Sequence, residues 1–136
     1  MFDWIAFDAD DTLWKNEEYY REGRKIFAEI LAKYGVDHPL PERVDQLESS
    51  NIRYYGYGVM SFVLSLIDIS IQETGGKIQA EDIQKLLELS KDMLSRDVEV
   101  MAGVKDLLAA LQEKYPLMLV TKGDLFHQQR KIAQSG

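Results

Sequence analysis

Two short, uninterrupted apolar runs constrain this chain more than any other feature: Trp4-Ile5-Ala6-Phe7, which stops at Asp8, and Leu117-Met118-Leu119-Val120, which stops at Thr121. Apolar runs of this length without polar alternation read as strands covered on both faces, the pattern of parallel sheets. Strands are therefore predicted at 3–8 and 117–121. Everything between them that carries a periodic pattern carries a helical one, so the chain reads as α/β with an all-helical insert after the first strand. Two strands do not make a parallel sheet, whose members need neighbours on their edges. The reading is of an incomplete core, its sheet completed by a second fragment or by a homo-oligomer.

The helical stretches are delimited by their own punctuation. Tyr20, Ile26, Phe27, Ile30, Leu31 and Tyr34 recur at helical spacing from about Glu17, and Gly35 supplies a stop. Pro39 and Pro41 mark a loop, a weaker helix runs from Glu42 to about Tyr55, and Gly56 and Gly58 precede an apolar helix from Val59 to about Glu73. The aromatic cluster at that break, Tyr54, Tyr55 and Tyr57, is read as packing. Gly75-Gly76 separate a further helix from Ala80 to Leu94; Val98–Gly103 is a connector, a helix follows from Val104 to near Tyr115, and Asp124 caps a last one.

Charge and composition then remove function classes. With 16 Lys and Arg against 23 Asp and Glu the net charge is −7, which disfavours a nucleic acid or an anionic membrane as partner and favours cations. The chain has no Cys, and its two His, His38 and His127, are isolated, so thiolate and zinc chemistry are disfavoured; both His are read as surface residues. The longest uncharged stretch, Tyr54–Ile67, is shorter than the roughly 18–20 residues a spanning helix needs. The first residues have no basic segment of the kind that opens a signal peptide. A cytoplasmic setting is expected.

The chemistry concentrates at the end of the first strand, because ligands of open parallel sheets sit beyond the carboxyl ends of the strands. Asp8 and Asp10 occupy that end. Acidic residues also serve as ordinary turn formers, and a calcium loop is a further alternative; the latter needs Gly and Glu where this chain has Leu13 and Tyr19, and is rejected.

Trp4-Ile5-Ala6-Phe7-Asp8-Ala9-Asp10-Asp11-Thr12-Leu13-Trp14 resembles the first motif of the haloacid dehalogenase-like hydrolases, a hydrophobic strand followed by Asp-x-Asp-x-Thr. Leu117–Thr121 is similar to the second, an apolar strand ending in Ser or Thr, with Ala102 where Pro is common. The long separation of the motifs suits members with a helical cap, which divides the chain into 1–15 and 96–136 as pieces of a Rossmann-like core and 16–95 as the cap, with hinges near Lys15 and Val98. Neither the family's third-motif Lys nor its fourth-motif acids have a counterpart; Lys122 directly follows the second motif and is not that Lys.

The resemblance implies a Mg²⁺-dependent phosphatase acting on a small phosphate ester through an aspartyl-phosphate. Asp8 would be the nucleophile, a role for which a carboxylate is ionised at neutral pH without help. Asp10 would be the general acid and base, with a carboxyl raised by neighbouring negative charge. Asp8 and the Asp10 backbone carbonyl would hold the metal, Thr121 and Lys122 the phosphate, and Thr12 would close the loop by a side-chain to backbone bond, while Asp11 faces solvent or the cap hinge. Asp at position 10 favours phosphate esters over the halide and phosphonate branches. The alternative is a non-catalytic or fragmentary relative that binds phosphate or a protein partner.

Overall fold

A computed structural model describes residues 3–37 and 40–136; His38 and Pro39, for which a surface position and a loop were expected, lie outside the described residues. The elements in chain order are β1 (Ile5–Phe7), α1 (Glu17–Ala32), α2 (Pro41–Tyr55), α3 (Val59–Glu73), α4 (Ala80–Ser95), α5 (Val104–Gln112), β2 (Leu117–Leu119) and α6 (Leu125–Ser135). They fall into two compact units, Met1–Glu18 with Asp97–Gly136, and Tyr19–Arg96.

The helical unit is organised by α3, whose near-continuous apolar sequence buries Val59, Phe62, Val63, Leu66 and Ile69 against Phe27, Ile30 and Leu31 of α1, Val44 of α2 and Leu86, Leu89 and Met93 of α4. Each of the larger side chains contributes about 1.5–3 kcal/mol by leaving water. Two of the three buried serine hydroxyls of α3 are paired, while Ser61 Oγ has no partner among the described residues. Ser65 and Ser70 donate to the carbonyls of Ser61 and Leu66 at 2.8 and 2.7 Å, and Ser65 also accepts from Asn51 Nδ2 at 2.9 Å. Gly23 lets α1 approach α3: a Cβ there would stand 2.9 Å from Phe62 Cε1. At the C-terminus of α1, Gly35 takes a left-handed φ of 78° and the Val36 N–H reaches the Leu31 carbonyl at 3.2 Å, closing the helix two residues before Tyr34 would have ended it.

One buried charge pins this unit. Asp82 accepts from Lys33 Nζ (2.7 Å), Lys85 Nζ (2.8 Å) and Tyr34 Oη (2.7 Å), tying the end of α1 to the start of α4. Those hydrogen bonds, Lys33 first, hold its carboxyl far below the ordinary Asp value. The Tyr54, Tyr55 and Tyr57 side chains, expected to pack, are instead exposed, with the Arg53 guanidinium stacked 4.6 Å from the Tyr54 ring centroid.

In the other unit β1 and β2 pair in parallel, Ile5 opposite Leu117, Ala6 opposite Met118 and Phe7 opposite Leu119. The core beneath them is small: Ala9, Leu13 and Trp14, flanked by Phe7, Val98, Val104, Leu108 and Leu119. The strands are three residues each rather than the expected five or six, and they are not covered on both faces, since Trp4, Met118 and Val120 are exposed. A two-stranded ladder has no third strand to extend it and no second layer over its outer face. Leu125 and Phe126 at the start of α6 are exposed as well.

Candidate active site

The turn after β1 is wound almost as a helix, and that winding builds the site. The N–H groups of Thr12 and Leu13 both reach the Ala9 carbonyl, at 3.1 and 2.8 Å. Residues four apart then face each other. Thr12 Oγ1 accordingly donates to Asp8 Oδ2 at 3.1 Å, and Trp14 Nε1 to Asp10 Oδ1 at 2.7 Å. Thr12 was expected to close the loop through backbone; it bonds the Asp8 carboxylate instead. Asp11 is exposed as expected but is not idle: at a left-handed φ of 59° its carboxylate accepts the Asn16 and Glu17 N–H groups at 2.9 Å, capping α1. The loop is fixed from below by Lys15 N–H to Glu99 O and Met101 N–H to Leu13 O, and Lys15 Nζ pairs with Glu99 at 2.7 Å.

Beside it, the Val120 N–H donates to the Phe7 carbonyl at 2.8 Å, so Asp8 and Thr121 leave the sheet side by side at the carboxyl ends of the strands. Thr121 is half-buried and its hydroxyl makes only a long 3.4 Å contact with the Lys122 carbonyl, leaving it available to a ligand. Lys122 is exposed, and Gly123 at φ 141° turns the chain into α6. Asp124 caps that helix as its position suggests, accepting the His127 N–H at 2.8 Å.

The feature sequence reasoning missed is on α6. Lys131 Nζ stands 2.8 Å from Asp10 Oδ1 and 2.9 Å from Asn16 Oδ1, and Gln128 Nε2 reaches Asp10 Oδ2 at 3.0 Å. The clustered acids thus have a neighbouring cation, and one expectation is corrected by it. Asp10 is not raised: burial pushes its carboxyl up, but the bonds from Lys131, Gln128 and Trp14 outweigh burial and hold it below the ordinary value. His127, expected at the surface, is buried one position from Gln128, and burial together with the Lys131 charge lowers its pKa. An i, i+3 pair such as Gln128 and Lys131 marks one face of a helix, but a polar pair alone does not distinguish a site face from a solvated one.

The residues present suit a hard cation in part. Asp8 is exposed, and the Asp10 carbonyl takes no part in the backbone bonds of the turn, which run through Ala9, Asp11 and Trp14. Both are oxygen donors of the kind Mg²⁺ takes. Among the described residues no group of three or more acidic or His side chains could hold a metal ion by itself.

A family model for haloacid dehalogenase-like hydrolases matches residues 2–136, and the chain belongs to that family. It is similar to a haloacid dehalogenase-like family hydrolase from Xanthomonas campestris, at 42% identity and a TM-score of 0.91, over 98% of this chain and 56% of that one. It also shares the fold of YfnB from Bacillus subtilis, assigned as a HAD-hydrolase and crystallised bound to magnesium with interdomain movement, at 19% identity, a TM-score of 0.56, and coverage of 99% and 60%. The chain thus spans little more than half the length of either. No curated protein matches it significantly. Among the described residues, no helix is long and apolar enough to cross a membrane.

Proposed function

We propose that this chain carries the nucleophile half of a Mg²⁺-dependent phosphatase that hydrolyses a small phosphate ester through an aspartyl-phosphate. The observation that carries the reading is the convergence of Asp8, Asp10 and Thr121 at the carboxyl ends of two adjacent parallel strands, with Lys131 against Asp10. In this reading the Asp8 carboxylate, held by Thr12, attacks phosphorus. Asp10 protonates the departing alkoxide and later takes a proton from the attacking water. The Thr121 hydroxyl, with Lys122, holds the phosphoryl oxygens as charge spreads over them. Asp8 and the Asp10 carbonyl would hold the metal, which when bound offsets the repulsion between carboxylate and phosphate. In the same reading the helical segment 16–95 is the cap, and the substrate is a small soluble ester.

The test is turnover of 4-nitrophenyl phosphate by the complete gene product with and without Mg²⁺. Mg²⁺-dependent turnover that Asp8→Asn abolishes is expected. Turnover that survives Asp8→Asn, or none in the presence of Mg²⁺, favours the alternative of a phosphate-binding or partner-binding relative without catalysis.

A further inference from the structure

The loop after β2 is tied back by a side chain of the helix that follows it. Gln128, buried on α6, donates through Nε2 to the Lys122 carbonyl at 2.7 Å and to Asp10 Oδ2 at 3.0 Å. Both partners only accept, so the orientation of the amide is fixed, and it leaves Gln128 Oε1 buried with no hydrogen-bond partner among the described residues. A buried orphan acceptor is costly, so this amide is placed for what its nitrogen holds. The loop leaves space for it at Gly123: φ there is 141°, and a Cβ would stand 2.6 Å from Gln128 Nε2 and 3.2 Å from Gln128 Cγ.

The bond to Lys122 decides what the loop offers. The peptide bonds of the described residues are trans, and in a planar trans peptide the C=O and N–H point in opposite directions. With the Lys122 carbonyl drawn onto Gln128, the Gly123 N–H points away from that amide, and it finds no acceptor among the described residues. The Thr121 hydroxyl touches the same carbonyl, but only at 3.4 Å. Gln128 holds that carbonyl at shorter range, so the hydroxyl is free to turn to another acceptor. The loop thus presents a backbone donor and a weakly held hydroxyl, a pair suited to the oxygens of a tetrahedral oxyanion.

We propose that Gln128 is a positioning residue for the phosphoryl group: it holds the Lys122 carbonyl back on α6, so that the Gly123 N–H, with the Thr121 hydroxyl, receives the phosphoryl oxygens. The proposal rests on the phosphatase reading above and concerns the group common to all phosphate esters. Gln128 acts through the loop backbone and exchanges no proton; Asp10 is the second anchor of its amide.

The experiment follows backbone amide shifts of the complete gene product by NMR as inorganic phosphate is added, for the wild type, Gln128→Leu and Gly123→Ala, with turnover of 4-nitrophenyl phosphate in Mg²⁺ measured alongside. In the wild type the Gly123 amide proton should move downfield and report the phosphate Kd. Gln128→Leu should shrink that shift and raise the Kd about 2–10-fold, the worth of one hydrogen bond, with the inhibition constant for phosphate rising by the same factor. A residue that merely supported the fold would leave both unchanged in a folded variant. That result overturns the proposal and leaves the phosphatase reading standing, as does an active wild type whose Gly123 amide does not respond to phosphate. Phosphate bound at Gly123 without any turnover overturns the phosphatase reading alone, and a wild type that neither binds phosphate nor turns over the ester overturns both. If Gln128→Leu does not fold, Gly123→Ala decides, because its methyl displaces the same amide and should raise the phosphate Kd in the same way.

Discussion

Replacing Gly23 by Ala should destabilise the helical unit, against the usual direction for a glycine inside a helix. Ala is favoured over Gly by about 1 kcal/mol in a helix interior. Against that gain, the new methyl would lie 2.9 Å from Phe62 Cε1 and 3.3 Å from Leu89 Cδ2. Phe62 is fully buried and its ring is packed on Tyr20 at 4.9 Å between centroids, so it has nowhere to retreat. Overpacking of this kind costs about 1–3 kcal/mol. The net expectation is a loss of about 1 kcal/mol, read as a Tm lower by roughly 4–8 °C for a unit of this size. Thermal unfolding followed by far-UV circular dichroism gives the sign. A cycle with Phe62→Leu, which removes the ring edge, should shrink the Gly23→Ala penalty by at least about 0.5 kcal/mol. A higher Tm for Gly23→Ala, or no coupling to Phe62, would refute the claim that this contact sets the approach of α1 to α3.

Asp82→Asn should lower the Tm at neutral pH. Because the folded carboxyl titrates below its unfolded value, its contribution is present above about pH 4 and lost as pH falls further; the gap between variant and wild type should close in acid, and a gap that widens contradicts the assignment. Asp11→Ala should cost about 2 kcal/mol, from the lost cap and the left-handed backbone together, and Asp11→Gly should recover the backbone part; equal melting temperatures for the two would show that φ is irrelevant there. The 136-residue chain by itself should associate through the exposed Val120, Leu125 and Phe126 and fail to hydrolyse phosphate esters. Light scattering after size exclusion that finds an active monomer would contradict both expectations.

What the sequence made legible were the features written in local pattern. The apolar runs ending at Asp8 and Thr121, the five helices between them and the Asp124 cap all depend on residues within a few positions of each other. The strand ends were overextended because their length depends on neighbours in the sheet, and the coverage of Trp4 and Met118 depends on layers that two strands do not supply. Tyr34 was placed inside α1, where Gly35 in fact closes the helix earlier and frees the Tyr34 hydroxyl to meet Asp82. At the site, Asp8, Asp10 and Thr12 could be picked out, but not the direction in which Asp10 is shifted. That direction is set by Lys131, more than a hundred residues away, whose approach only the pairing of β1 with β2 brings about.

The central claim is that Asp8 becomes phosphorylated, and trapping that bond tests it most directly. The complete gene product is mixed with 4-nitrophenyl phosphate and Mg²⁺, quenched in acid during turnover, treated with borohydride, and its peptides sequenced by mass spectrometry. Borohydride reduces an acyl phosphate to an alcohol, so the account predicts homoserine at position 8 and unmodified Asp at 10 and 11, with no conversion when Mg²⁺ is withheld. Turnover with Asp8 intact, or with the modification at another residue, would contradict it.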